Sequence, residues 1–131
     1  MPLTVTAAVV GGGEVASWFG ATARESDARV RALVRHHGQL LRTQVMRNAS
    51  GRPGPNVRTG DYRRSITVEF SEGPEGFTAV VGSNAPQAAR LEFGFHGADS
   101  LGRVYNQPPF PHFGPAIQAI GPGFVSAFKA L

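Results

Sequence analysis

A single long amphipathic segment constrains the fold of this chain more than any other feature. Over residues 26–48, apolar side chains recur at three- and four-residue spacing, which is the period of one face of an α-helix. Ser26 is a suitable N-cap residue, and residues 48–51 end the pattern. We therefore expect a long helix whose apolar face lies across a sheet. The residues of that face are Val30, Leu33, Val34, His37, Leu41 and Val45.

The same helix also carries a row of positive charges. At about 100° per residue, four arginines are predicted to project on nearly the opposite side from the apolar face. A charged helix face is most often solvated, and the alternatives are contact with a neighbouring subunit or with DNA. The pattern leaves these interpretations open. The four residues are Arg24, Arg31, Arg35 and Arg42.

Three strands are predicted, because β-branched and apolar residues alternate with polar ones over short stretches. The first covers residues 3–10 and ends at a run of three glycines. The other two, at 66–70 and 77–82, are separated by a turn at 71–76. These two strands should form an antiparallel hairpin.

Shorter helical patterns complete the chain. They cover residues 14–22, 86–93 and 115–131, and a Gly-Pro-Gly sequence at 121–123 interrupts the last of them. The class is therefore α+β: a long N-terminal helix packed on a small, mostly antiparallel β-sheet, with a short helix and a C-terminal helix. The core predicted between helix and sheet consists of Leu33, Val34, Leu41, Val68, Phe70, Val81, Leu91 and Phe93.

Two segments have the composition of long mobile loops. Residues 49–60 are rich in Gly and Pro, and residues 94–107 lack a clear periodic pattern. A length of 131 residues indicates one domain, 1–131, with a single core. A small domain with so much loop buries little surface by itself, which favours function within an assembly.

The most distinctive short motif occupies residues 58–66. Thr59-Gly60-Asp61 predicts a turn, because Gly tolerates positive φ and Asp can bond its neighbouring backbone. Arg63 and Arg64 then place two cations at the start of the strand that follows. No catalytic motif is built in this way.

This motif resembles the Thr-Gly-x-Leu-basic-x-Ser-Ile signature of the tail-completion (head–tail joining) proteins of long-tailed double-stranded DNA bacteriophages. Residues 88–94 are similar to that family's aromatic-Ala-x-x-x-Glu-Phe-Gly-Thr element, and residues 111–117 to its Pro-Phe-Leu-x-Pro-Ala-Leu element. Tyr62 stands where Leu is usual, Phe95 where Thr is usual and His112 where Phe is usual. The matching positions include Thr59, Gly60, Ser65, Phe93, Gly94, Pro115 and Ala116.

The resemblance implies a structural virion protein that joins the head connector to the tail as a ring, with six copies to match the tail tube. It would be assembled in the host cytoplasm and lie in the neck, as tail terminator, tail-to-head joining protein or stopper. Its partners would be its own copies, connector or stopper proteins and the tail-tube protein, with DNA passing through without sequence-specific binding. The expected contact residues are Arg31, Arg35, Arg42, Arg63, Arg64, Glu92 and Tyr105.

The charges are unevenly distributed along the chain. Residues 1–64 have a balance of +6, whereas residues 65–131 have a balance of −2. This asymmetry suggests either a polyanionic partner or head-to-tail pairing of unlike faces between copies. The alternative function is that of a small DNA-binding accessory protein that uses the arginine-rich helix, although the chain shows no known nucleic-acid-binding motif.

The composition argues against an enzyme and against a cofactor or metal site. The chain has no cysteine, and His36 and His37 are adjacent on a helix, where they cannot chelate one ion. His96 and His112 lie in different loops, with no nearby carboxylate pattern except Asp99. No serine lies in a nucleophile elbow. No apolar run is long enough to span a bilayer, so no membrane partner is expected.

Overall fold

The computed structural model describes residues 3–10, 14–21, 28–73, 76–98 and 100–131. Ten elements follow one another in these ranges: β1 (Leu3–Val10), β2 (Glu14–Ala21), α1 (Ala28–Asn48), α2 (Asp61–Arg64), β3 (Thr67–Gly73), β4 (Gly76–Ser83), α3 (Ala88–Phe93), β5 (Phe95–Ala98), β6 (Val104–Gln107) and α4 (Phe113–Lys129). The expected Ser26 cap and Arg24 lie outside the described residues.

The main sheet has four antiparallel strands in the order β1-β2-β4-β3. Helices α1 and α4 pack against each other and against this sheet. The α+β class, the long helix on a mostly antiparallel sheet, the short helix and the C-terminal helix are thus confirmed. The β3–β4 hairpin is also confirmed, but β3 extends to Gly73 and β4 begins at Gly76, so most of the residues expected in the turn at 71–76 belong to the strands.

The prediction of a helix at residues 14–22 is wrong, because this segment is strand β2. It pairs with β1 on one side and with β4 on the other, so hydrogen bonds to two neighbours satisfy its backbone. An eight-residue stretch shows too few repeats to distinguish a helical period from a strand period. Tertiary pairing therefore decides the structure of this segment.

The apolar face of α1 forms the centre of the core, as expected. Val30, Val34, Leu41 and Val45 are all buried, and His37 is only 8% exposed. At Gly38 the helix lies close against the sheet. A Cβ atom at this position would lie 2.8 Å from the Cβ of Ala79 and 2.8 Å from the Phe70 ring. A larger side chain would force the helix and the sheet apart.

Helix α4 runs without interruption from Phe113 to Lys129, so the predicted break at residues 121–123 is wrong. Pro122 removes one backbone hydrogen bond from the helix. Apolar packing supports the continuous helix on its inner side, where Phe113, Ala116 and Phe124 are buried. The Phe124 ring lies 5.3 Å from the ring of His37 on α1.

Residues 94–107, predicted to be a loop, contain the two-stranded antiparallel sheet β5–β6. Two four-residue strands give too short a pattern to be recognised in the sequence. Phe93, expected in the core, is 56% exposed at the end of α3. The expected core residues Leu33, Val68, Phe70 and Leu91 are half-buried, whereas Val34, Leu41 and Val81 are buried.

Candidate functional site

A buried carboxylate joins α3 to the beginning of α4. Glu92 Oε1 accepts hydrogen bonds from the backbone N–H groups of His112, at 2.9 Å, and Phe113, at 2.7 Å. Its Oε2 accepts a third bond from the N–H of Gly114, at 3.2 Å. The first N–H groups of a helix have no partner within the helix, and that end carries partial positive charge. Glu92 therefore caps α4 from a distance of 20 residues along the chain.

The predicted contact role of Glu92 does not fit this geometry. Its side chain is only 6% exposed, and both carboxylate oxygens are occupied by backbone donors within the chain. A buried carboxylate with three donors stabilises the fold and has no free surface to offer a partner. We therefore assign Glu92 to the internal structure of the domain.

His112 is fully buried beside this carboxylate, although the sequence suggested no carboxylate near it other than Asp99. Its Nδ1 lies 2.9 Å from the carbonyl oxygen of Phe110 and 3.1 Å from Glu92 Oε1, which are both acceptors. Its Nε2 lies 2.6 Å from the Tyr62 hydroxyl. Nδ1–H is therefore the donor, and the tyrosine hydroxyl donates to Nε2.

Burial keeps both rings of this pair neutral. Desolvation lowers the pKa of His112, and the Phe110 carbonyl and the Glu92 charge only partly oppose that shift. Desolvation also raises the pKa of the Tyr62 hydroxyl, and the Glu92 charge raises it further. The histidine is thus a neutral acceptor for a protonated tyrosine at neutral pH.

The three short motifs of the sequence meet at this point. Tyr62 belongs to the first motif, Glu92 to the second and His112 to the third. The turn in the first motif forms as predicted, since Gly60 has φ +85° and Asp61 N–H donates to Thr59 Oγ1. The motifs therefore describe one junction that fixes α2, α3 and α4 relative to one another.

Other motif residues are distributed around this junction. Ser65 Oγ lies 2.7 Å from Ser83 Oγ, which links the first motif to the end of β4. Gly94 has φ +80°, and a Cβ there would lie 2.8 Å from the carbonyl oxygen of Gln107. Pro115 is exposed on the first turn of α4, whereas Ala116 is fully buried.

The arginines of α1 do not project away from the sheet as the sequence analysis predicted. Arg31 Nε lies 2.9 Å and an Arg35 terminal nitrogen lies 3.3 Å from Glu72 Oε1 on β3. Arg42 Nε donates to the carbonyl oxygen of Ile66, at 3.0 Å. These long side chains reach across the border of the apolar face to the edge of the sheet.

The other predicted contact residues lie outside α1. Arg63 and Arg64 form the last turn of the short helix α2, and not the mouth of a strand. Arg63 donates to Ser50 Oγ, at 2.9 Å, and Arg64 pairs with Asp61. Tyr105 is 38% exposed on the β5–β6 hairpin.

A cleft of about 710 Å³ lies beside the junction, and the sequence analysis did not anticipate it. Residues 49–63 form one side, and the opposite side includes Leu91, Gln107 and Phe110. The only signal for it in the sequence is the density of arginines between residues 47 and 64. The lining of the cleft contains both arginines and apolar side chains, so the cleft combines positive charge with apolar surface.

Comparison with known proteins identifies the family. A family model described as "Bacteriophage HK97-gp10, putative tail-component" matches residues 14–94, which is more than half of the chain. The chain belongs to this family. The match confirms the resemblance to phage tail-completion proteins, and it identifies a component of the phage tail and hence of the virion. No curated protein and no solved structure matches the chain.

The Tyr62–His112 contact pairs residues of the first and third motifs, at two positions where the resemblance leads us to expect Leu and Phe. Either polar group alone would be buried without its partner, so each of the two residues depends on the other.

The described part of the chain has no group of three or more His, Asp or Glu residues that could hold a metal ion. Within the same residues, no helix is long and apolar enough to cross a membrane.

A double-mutant cycle tests the dependence of Tyr62 and His112 on each other. We expect Tyr62→Leu and His112→Phe each to lower the free energy of unfolding by about 1–3 kcal/mol, because each leaves one buried polar group unpaired. The double variant should lose less than the sum of the two, since it restores an apolar pair. Urea unfolding of the four proteins measures this, and strictly additive losses would contradict the coupling.

The same histidine predicts a pH dependence. His112 has a lower pKa in the folded state than its ordinary value of 6.5, so the unfolded chain binds the proton first as the pH falls. The stability that its neutral form provides is complete above pH 6.5 and is lost progressively below it. Urea unfolding at several pH values should show this slope, and the slope should be smaller in His112→Phe. An equal slope in both proteins would exclude His112 as its source.

Proposed function

We propose that this tail component joins the head connector to the tail, as a ring of six copies in the neck of the virion. Its role would be that of tail terminator or tail-to-head joining protein. The observation that carries the proposal is an exposed apolar segment at the β5–β6 hairpin. Leu101 is 76% exposed and Val104 81% exposed, and both lie on or beside that hairpin. Exposed apolar groups that cluster in one segment mark a site of protein contact.

The apolar segment supports a ring better than the charge asymmetry does. Pairing of unlike faces would use exposed carboxylates; among the side chains described in residues 65–131, Glu72 already contacts Arg31 and Arg35, Glu92 is buried and Glu69 is exposed. A projecting hairpin is well suited to a head-to-tail contact, in which each copy presents one surface and receives another. Contacts of Arg63 and Tyr105 with neighbouring subunits are part of this proposal.

The assembly state tests the ring. We expect the purified chain to be monomeric when dilute and to form rings at high concentration or with its partners, since a small domain gains little from weak single contacts. Light scattering over a concentration series measures the mass. Val104→Ser and Leu101→Ser should lower the ring fraction, whereas Leu40→Ser, at a site that is 39% exposed on α1, should not. A tight two-fold dimer at all concentrations would contradict the proposal.

A further inference from the structure

We infer that the cleft beside α2 binds an extended acidic segment of another virion protein, with one apolar side chain of that segment seated against the apolar part of the cleft. Three properties of the cleft support this assignment: its charge, its preformed walls and its mixed lining. The inference does not require the ring, because a single chain contains the whole cleft.

The charge of the chain is concentrated around this cleft. Residues 47–64 hold five arginines and one acidic residue, a balance of +4, which equals the net charge of the whole protein. Arg47, Arg52 and Arg58 are exposed, and Arg63 is half-exposed. Arg58 makes no hydrogen bond or ion pair within the described residues. Such a concentration of guanidinium groups attracts carboxylates and phosphates.

The walls of the cleft are held in place by contacts within the chain. The Arg52 guanidinium lies 3.9 Å from the centre of the Phe110 ring, and it donates to the carbonyl oxygen of Gly54 at 3.0 Å. Gly51 N–H donates to the carbonyl oxygen of Pro55, at 2.9 Å, and Arg63 is bonded to Ser50. A site formed in advance loses less entropy on binding than a loop that must become ordered.

The mixed lining favours a protein segment over a nucleic acid. Val57 is 42% exposed at the cleft, and Leu91 and Phe110 also line it. The phosphates of a bound DNA duplex would leave the apolar part of the lining uncovered. An extended peptide with carboxylates on both sides of one apolar side chain would satisfy both kinds of surface.

Among the side chains that the structure describes, a second copy of this chain has few carboxylates with which to fill the cleft. Among the described carboxylates, Asp61 is paired with Arg64, Glu72 with two arginines of α1, and Glu92 is buried. Glu69 is exposed. The carboxylates whose side chains the structure describes thus offer little free negative charge, and the inference commits to a segment of a different protein.

Peptide binding measured by fluorescence anisotropy tests the inference. One labelled probe is an oligoglutamate with a central phenylalanine, and the matched probe has serine at that place. We expect the phenylalanine probe to bind about tenfold more tightly, because burial of its ring is worth more than about 1.4 kcal/mol. Val57→Ser should reduce this preference without weakening the binding of the serine probe.

Two charge reversals give a matched comparison. Arg58→Glu, in the cleft, should weaken both probes by about tenfold or more, since repulsion replaces attraction. Arg29→Glu changes the net charge by the same amount as Arg58→Glu, but at the far end of α1, about 27 Å from Arg47 by helix rise. It should change the binding affinity by less than about twofold. Arg29 and Arg58 are both exposed, so the fold should tolerate either substitution.

Three results would overturn the inference. The first is no binding of either peptide at about 1 mM, the weak end of specific association. The second is an equal loss of peptide affinity in Arg58→Glu and Arg29→Glu, which would show that binding depends on the overall charge of the protein and not on the cleft. The third is that a random DNA duplex of about 30 base pairs binds more tightly than either peptide and that Arg58→Glu abolishes this binding. That result would identify a phosphate-binding surface instead.

Discussion

Replacement of Leu41 by Ala is expected to lower the free energy of unfolding by about 2–5 kcal/mol. Leu41 is fully buried at the centre of the apolar face of α1, where the helix meets the sheet. The substitution removes a large apolar side chain and leaves a cavity that the packed surroundings fill only in part. This loss is a large fraction of the stability of the domain, since such domains are stable by only about 5–15 kcal/mol.

Urea unfolding measures this loss, and a neighbouring position provides the control. Gln39 is exposed on the same helix, so Gln39→Ala changes helix propensity without affecting the core. We expect that variant to stay within about 0.5 kcal/mol of the parent protein. A similarly small effect of Leu41→Ala would mean that α1 presents a different face to the sheet.

Replacement of Glu92 by Ala should be about as costly, with a loss of about 2–5 kcal/mol, because several buried donors lose their acceptor at once. The N–H groups of His112, Phe113 and Gly114 would have no partner at the beginning of α4. The negative charge that complements this helix end would also be lost. The expected result is a cooperative but less stable fold, in which the first turn of α4 is the least protected from hydrogen exchange.

Glu92→Gln separates charge from hydrogen bonding at the same position. Gln keeps the size of the side chain and one carbonyl acceptor, so it should recover part of the stability that Glu92→Ala loses. Urea unfolding of the two variants and hydrogen exchange along α4 provide the comparison. An effect of Glu92→Ala below about 0.5 kcal/mol, typical of surface substitutions, would show that the carboxylate does not cap the helix.

Local periodicity was sufficient for the elements that have a long or clear pattern. The 21 residues of α1 repeat their apolar spacing several times, and the β3–β4 hairpin alternates regularly. The strand β2 is not predicted from the sequence because the segment is short and has a strand partner on each side, one of which lies 56 to 68 residues away along the chain. Helix α4 was predicted as interrupted, because the packing that supports it around Pro122 involves α1, which is distant in sequence.

The junction and the cleft were beyond sequence reasoning for the same physical reason. The Tyr62 hydroxyl and the His112 ring are 50 residues apart, and only the fold brings them into contact. The sequence nevertheless contained the three motifs that meet there, and two of the three residues that depart from the usual pattern, Tyr62 and His112, are bonded to each other. For Arg31 and Arg35, helix periodicity predicts the side of the helix on which each residue lies. It does not predict how far the long side chain reaches, which here is to Glu72.

Electron microscopy of lysates tests the central claim most directly. The phage that encodes this chain would be compared with the same phage carrying a deletion of the gene, with the gene supplied in trans as the control. If the chain joins head to tail, the deletion should yield DNA-filled heads and separate tails, and the supplied gene should restore complete virions. Complete, joined virions in the absence of the gene would contradict the proposed function.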